Sequence, residues 1–401
     1  MRKANIFINI HYLEIGGAET SLIGLLQTLD PDKVNVDLFI NDHRGEMMQF
    51  IPEWVNVLPA VPAYTLIERP MKEVLQRGFI RLFLARLWAK WKFWEYEKKN
   101  HPKDGSAIFG YVGKYVTSVL PPIRQTKTYD LAISFVTPHN IVLHKIKAKK
   151  KICWIHTDYT KIDVNTTLEY PVWDGYDHIV SISKDVTRTF CEVFPSLKDK
   201  IIEIENIIAP EFIRQRAELE PRPTDMPVEK DKIILLTVGR YSYAKKLEEI
   251  PIICRLLVKK GCNVKWYIIG YGGNGEYIRK AIQEEGMQSH VIMLGKKANP
   301  YPYIKACDWY VQPSRYEGKS VVVREAQILQ RPVIITDYPT AASQIKDGID
   351  GVIVPMSVEE CAISISETVN DSKLKLKIVK YLSTHNYGDM SEISKLYQLL
   401  P

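Results

Sequence analysis

The sequence predicts an α/β protein of two domains, each a mostly parallel sheet covered by helices on both faces. Three observations lead there. The chain has 401 residues, enough for two domains of ordinary size. Short apolar runs alternate with amphipathic runs along most of it, and strand–helix alternation of that kind builds parallel sheets. A Pro- and charge-rich stretch at 218–231, with Pro221, Pro223 and Pro227, interrupts the pattern near the middle.

The elements follow in order. Asn5 to Ile10 reads as a strand and Ala18 to Leu29 as an amphipathic helix. Val34 to Ile40 is a second strand. Met71 to Trp94 is helical in pattern and basic. Asp130 to Val136, Lys151 to His156 and His178 to Ser183 are further strands, with a helix at Lys184 to Val193. Lys200 to Ile204 closes the first half. After the linker, Lys232 to Val238 opens a second series. Its later strands lie near Trp266 to Ile269, Val291 to Leu294, Trp309 to Gln312, Val333 to Thr336 and Gly351 to Val354.

Composition is that of a globular protein, with 25% charged and 46% hydrophobic residues and a net charge of +7. No nucleic-acid-binding motif accompanies that charge. The six cysteines are scattered without metal-like spacing, which suits a reducing cytosol. The first residues are too briefly apolar for a signal peptide, and no stretch approaches the ~20 apolar residues of a membrane span. Asp30-Pro31-Asp32 has the spacing of a metal-binding acid pair but follows a helix, so it reads as a turn, and no metal site is expected.

The chemistry concentrates in the second half. Glu317 and Glu325 are separated by seven residues, between a strand ending at Pro313 and a helix from Val321. In a β–α–β unit this puts Glu317 at the carboxyl end of a parallel strand, where open α/β sheets bind ligands. Ser320 stands as the N-cap, where free N–H groups suit a phosphate. Glu325 shares a helix face with Val321, Val322 and Leu329, so its carboxylate needs partners such as ribose hydroxyls. The alternative is a half-exposed glutamate beside a basic loop. Arg240 and Lys245 lie on one strand-exit loop and together suit a diphosphate, or else form a solvated turn. Gly16 and Gly17 open the first helix, where a tight turn alone would also explain them. His156 ends a strand and reads as structural or as a site residue; His139 is a second candidate.

Glu317-(x7)-Glu325 after the strand ending at Pro313-Ser314 resembles the signature of retaining nucleotide-sugar glycosyltransferases of the GT-B fold, family 4. Gly16-Gly17-Ala18-Glu19, Val238-Gly239-Arg240 with Lys245, Ile269-Gly270-Tyr271-Gly272 and the run from Asp347 to Pro355 match in the family's order. The resemblance implies two Rossmann-like domains facing across a cleft: an acceptor domain at 1–205, a nucleotide-sugar domain at 206–381, and a helix at 382–401 returning to the first. It implies that Arg240 and Lys245 bind the donor diphosphate, that Glu325 holds the ribose, and that Glu317, Gly318, Lys319, Ser320 and Val321 shape the sugar pocket. Gly270 and Gly272 would form the loop beside the nucleotide, Lys296 would pass the base, and Gly17 and His156 would face the donor. Lys246 departs from the family, which usually has glycine there. A UDP-sugar rather than a GDP-sugar is expected, with no cofactor and no metal.

The implied reaction is transfer of a hexose or N-acetylhexosamine to a glycan, polyprenyl-diphosphate-linked, in bacterial surface polysaccharide synthesis. A nucleotide-sugar epimerase of the same architecture and a non-catalytic carbohydrate-binding partner are the rivals; a phosphorylase would need a pyridoxal-lysine motif not seen here. The segment 69–103 adds a question of location. It holds ten Lys or Arg against three acids. Ile80, Phe83, Leu84, Leu87, Trp88, Trp91 and Trp94 form one stripe, flanked by Arg77, Arg81, Arg86, Lys90 and Lys92. That pattern suits an anionic membrane surface on the cytoplasmic side, with Lys145 to Lys151 adding charge. The alternative is a stripe packed on the first domain's sheet.

Overall fold

Thirteen strands divide between two all-parallel sheets in the computed structural model, which describes residues 2–102, 104–125, 127–219, 222–385, 387 and 392–400. Pro221 of the expected linker lies outside the described residues. So do Lys103 of the basic segment and residues 386, 388–391 and 401 of the expected tail.

The first unit is Met1–Ile207 with Met390–Pro401. Its strands are β1 (Ala4–Ile10), β2 (Val34–Ile40), β3 (Asn56–Val57), β4 (Tyr129–Ser134), β5 (Ala148–Ile155), β6 (His178–Ser181) and β7 (Ile201–Glu203), in the order β3-β2-β1-β4-β5-β6-β7. Ile6 and Ile8 of β1 pair in register with Leu131 and Ile133 of β4, and all four are fully buried. Buried parallel strands need near-continuous apolar runs, which is what these segments supply. Helix Glu392–Tyr397 packs back onto this unit. The Asp30 N–H donates to Tyr397 Oη at 2.7 Å, the Glu205 N–H to Glu392 Oε2 at 2.8 Å, and Lys150 Nζ to the Leu399 carbonyl at 3.1 Å.

The second unit is Ile208–Asp389. Its strands are β8 (Ile233–Val238), β9 (Val264–Ile269), β10 (Val291–Gly295), β11 (Trp309–Gln312), β12 (Val333–Thr336) and β13 (Val352–Val354), in the order β10-β9-β8-β11-β12-β13. Alternate residues feed two cores. Leu236, Tyr267, Tyr310 and Ile335 face one layer of helices; Leu235, Trp266, Trp309 and Ile334 face the other. In both sheets the strand order reverses once, between β1 and β4 and between β8 and β11. Loops at such a reversal diverge and leave a crevice at the strands' carboxyl ends.

Two local expectations change. The segment 71–94 is not one helix but two, Met71–Gln76 and Ile80–Asn100. Gly78 adopts φ +78°, and Phe79 N–H donates to the Val74 carbonyl at 3.2 Å, a left-handed glycine cap that ends the first helix. Most lysines of 145–151 are engaged within the first unit, while Lys147 is exposed. Lys145 Nζ donates to the Leu120 carbonyl and Lys151 Nζ to the Leu143 carbonyl, while Lys149 pairs with Asp130 at 2.8 Å.

Candidate functional site

The reversal between β8 and β11 is where the second unit gathers its polar side chains. β8 ends at Val238, and the loop behind it carries Gly239, Arg240, Lys245 and Lys246. β11 ends at Gln312 and leads through Ser314 and Glu317 to helix Val321–Ile328.

Lys245 and Glu317 meet directly, Nζ to Oε1 at 2.6 Å, and both are mostly buried, at 18% and 13% side-chain exposure. Glu317 Oε1 also accepts from Ser314 Oγ at 2.5 Å and from Gln312 Nε2 at 3.0 Å. Gln312 is itself held by the fully buried Tyr310 hydroxyl, which donates to its Oε1. The stem of Lys245 lies along Gly239, where a Cβ would sit 3.4 Å from Lys245 Cδ and Cε. Arg315 clamps the two loops together: its N–H donates to the Ala244 carbonyl at 2.7 Å, and its guanidinium reaches the Tyr243 carbonyl, Glu248 and Glu249. Thr340 Oγ1 donates to the Glu317 carbonyl at 3.0 Å from the next loop. Arg240 is exposed on the β8 loop.

Lys246 points elsewhere. Its backbone is left-handed, φ +56° and ψ +30°, a conformation glycine adopts without steric cost. Its ammonium donates to the Met356 carbonyl at 2.6 Å and pairs with Glu249 at 2.7 Å, at 9% side-chain exposure. The departure from glycine is thus filled by a lysine that braces the loop and leaves Lys245 at the crevice.

Ser320 is the N-cap of helix Val321–Ile328 without capping through its side chain, and its buried Oγ has no hydrogen-bond partner among the described residues. Gln344 fixes its backbone instead: Oε1 accepts from Ser320 N–H at 3.0 Å and Nε2 donates to the Ser320 carbonyl. Glu325 is 3% exposed and accepts from the Tyr301 hydroxyl at 3.0 Å. Burial pushes its carboxyl up to about 7. Its neighbours Val321 and Leu329 are buried and Val322 packs against the same core.

The glycines after β9 hold the crevice floor. Gly270, φ +153°, approaches Gly239 so closely that a Cβ would lie 1.9 Å from the Gly239 oxygen. Gly272, φ +145°, does the same against Tyr241 at 2.6 Å. Lys296 is exposed, with Nζ 4.7 Å from the centre of the Tyr271 ring. Gly318 and Lys319 are half-buried beside Glu317.

In the first unit, the exposed Gly17 begins helix Gly17–Thr28 behind β1. His156 follows β5; its Nε2 is 2.9 Å from the Phe135 carbonyl, and burial pushes its pKa down to about 4, so the ring is neutral at pH 7. His139 is 1% exposed, shares a hydrogen bond with Ser134 Oγ at 2.8 Å, and lies edge-on to Trp173. That packing makes it a core residue. Sequence reasoning missed Gln312, Ser314, Arg315, Thr340 and Gln344, all ordinary polar residues whose roles come from the loops that fold back on them. Tyr301 could have been found as the partner the buried Glu325 requires.

Residues 223–384, within the second unit, match the family model described as Glycosyl transferases group 1. An uncharacterized glycosyltransferase of Methanocaldococcus jannaschii is 25% identical over 246 residues, 58% of this chain and 59% of that protein. Poly(ribitol-phosphate) alpha-N-acetylglucosaminyltransferase of Staphylococcus aureus is 26% identical over 194 residues, 46% and 38% of the two chains. A Campylobacter jejuni alpha-N-acetylgalactosaminyltransferase, named for a diphospho-undecaprenol substrate, is 28% identical over 148 residues, 36% and 40%. The chain spans about half the length of the curated relatives it matches. The fold is that of GT-B structures. A Staphylococcus aureus TarM mutant in complex with Fondaparinux, alpha-GlcNAc-glycerol and UDP superposes with TM-score 0.67 at 14% identity, over 99% of each chain. Anabaena HepE with UDP and glucose gives 0.64 at 15%, over 98% of this chain and 99% of that one. Over residues 223–384 the chain is thus similar to glycosyl transferases group 1.

Proposed function

We propose that this chain is a retaining glycosyltransferase that moves a hexose or N-acetylhexosamine from a UDP-sugar to a glycan acceptor without a metal ion. The reading is supported above all by one arrangement: Lys245, Glu317 and the capped end of helix Val321–Ile328 stand at the β8/β11 reversal, with Glu325 on that helix.

Glu325 accepts the two ribose hydroxyls. Arg240 and Lys245 offset the diphosphate, joined by the N–H group at Val321 on the first turn of the helix. Donor entry turns the Lys245 ammonium from Glu317 toward phosphate and releases the Glu317 carboxylate to sugar hydroxyls, beside Gly318 and Lys319. Gly270 and Gly272 let the backbone lie against the nucleotide, and Lys296 borders the base. Within the first unit we assign site roles to Gly17 and the neutral His156.

In the step itself the C1–O bond to the diphosphate breaks, and its electron pair stays on the phosphate oxygen. The acceptor hydroxyl then bonds C1 from the same face and gives its proton to that oxygen. Arg240 and Lys245 stabilise the charge on the departing group. The acceptor we favour is polyprenyl-diphosphate-linked, in surface polysaccharide synthesis at the cytoplasmic face of a bacterial membrane.

A panel of UDP- and GDP-sugars, offered with and without glycan acceptors, tests the reading, with products followed by NMR. An α-linked product from an α-linked donor, formed only with acceptor, is expected. An inverted product sinks retention, and an epimerised donor without acceptor sinks transfer.

A further inference from the structure

We propose that the outer face of helix Ile80–Asn100 is a docking surface for a bilayer carrying anionic headgroups. The inference goes beyond the transfer reaction and does not depend on it.

The helix has two apolar faces. One, through Leu82, Ala89, Phe93 and Tyr96, packs inward; Leu82 and Ala89 are buried, and Phe93 and Tyr96 both meet the Tyr111 ring of helix Ile108–Val119. The stripe expected to pack or to bind lipid is the other face. Ile80, Leu84, Leu87, Trp88, Trp91 and Trp94 are each between 42% and 59% exposed. They fall within about a third of the helical circumference and run for about 21 Å at 1.5 Å per residue. Val119 of the neighbouring helix, 39% exposed, widens the patch, and Leu84, Trp88, Tyr115 and Val119 line a groove between the two helices. Scattered exposed hydrophobics need no explanation, but six on one face of one helix do.

Charge chooses the occupant. At 100° per residue, Arg81, Lys92 and Lys99 lie along one edge of the stripe and Lys90 along the other. Arg81, Lys90 and Lys99 are exposed. Lys92 Nζ pairs with Glu95, an exposed acid within the stripe's arc, at 2.8 Å and sits 4.3 Å from the Trp91 ring centre; Lys98 Nζ is 3.5 Å from that of Trp94, so among the described residues the free cations of the border are Arg81, Lys90 and Lys99. Arg86, which the sequence also placed on the flank, instead donates to the Leu66 and Arg69 carbonyls at 2.9 and 2.6 Å and belongs to the inner face. Protein–protein interfaces are depleted in lysine. Tryptophans with a lysine and arginine border are what an interfacial helix presents, rings at the headgroup level and cations reaching the phosphates. No helix among the described residues is long and apolar enough to cross a membrane, so the contact is one of lying on the surface.

Co-sedimentation of the full chain with vesicles tests this. Phosphatidylcholine mixed with phosphatidylglycerol should pull the protein down and pure phosphatidylcholine should not. Binding should fall about tenfold or more when salt is raised to about 0.5 M. Trp88→Ala/Trp91→Ala and Arg81→Glu/Lys90→Glu should each lose at least about tenfold while melting as the native chain does, since none of the four side chains is buried. Three results would overturn the proposal: native protein left in the supernatant with anionic vesicles at low salt, double variants that bind as well as the native chain, or a dimer in light scattering that the tryptophan pair dissociates.

Discussion

Lys245 and Lys246 are adjacent and identical, and the backbone separates their roles. Lys245→Ala should lower kcat/KM by about 2–4 kcal/mol of transition-state stabilisation while the fold stays intact. Lys246→Ala should do the reverse, because it removes a buried ammonium from the Met356 carbonyl and Glu249: a loss of about 1–3 kcal/mol in stability with kcat/KM changed only a few-fold. Swapped outcomes in steady-state kinetics and thermal melts would reverse the assignment. Glu325 makes a pH prediction. Its folded pKa, about 7, lies above the ordinary carboxyl value. Burial therefore costs nothing below about pH 4.5, and the penalty grows as pH rises through 7, reaching roughly 3 kcal/mol beyond it. Glu325→Gln should flatten that decline in melts taken across pH. The comparison with the native chain isolates the effect, since burial raises Glu169 of the first unit to about 7 as well. Donor binding should tighten as pH rises through 7 and release a proton, read by calorimetry in two buffers. A 2′,3′-dideoxyribose donor should lose both effects.

At the scale of elements, both sheets were legible because buried parallel strands are short apolar runs bounded by turns; β1, β2, β4, β8 and β11 all follow this pattern. Helices outside it were harder to read. Ile108–Val119 was not anticipated, and a single glycine at 78 split what periodicity joined. Of the site, Glu317, Glu325 and Lys245 were legible from spacing and charge, because carboxylates on apolar faces and cations at strand ends stand out. Arg315 was not, since nothing local distinguishes a clamp from a surface arginine; its partners at 243, 248 and 249 lie some 70 residues earlier. Arg315→Ala should lower kcat/KM about tenfold without touching substrate, by loosening the loop that aligns Lys245 with Glu317. Gly270→Ala tests the crevice floor. A methyl 1.9 Å from a carbonyl oxygen forces β8 and β9 loops apart, and a loss of more than about 2 kcal/mol in stability is expected. A variant that melts like the native chain would refute the close approach.

Over the whole molecule, the two units repeat one topological idea, and the second carries the ionisable groups of the proposed donor site. Among the described residues no cluster of His, Cys, Asp or Glu is arranged to hold a metal ion. Arg240, Lys245 and the helix end at Ser320 supply positive charge in the proposed donor site, and on that reading activity is expected to survive EDTA. Inactivation by EDTA, reversed by magnesium or manganese, would refute this. The return of helix Glu392–Tyr397 to the first unit also sets an order of events during synthesis. Chains emerge from the amino end and units fold as they become complete. The amides of Asp30 and Glu205 and the Lys150 amine receive their partners from 392–399. All of Ile208–Asp389 is made in between. The unit begun first is thus finished last, and a released chain truncated at residue 389 would hold all of the second unit and a first unit still missing its closing helix.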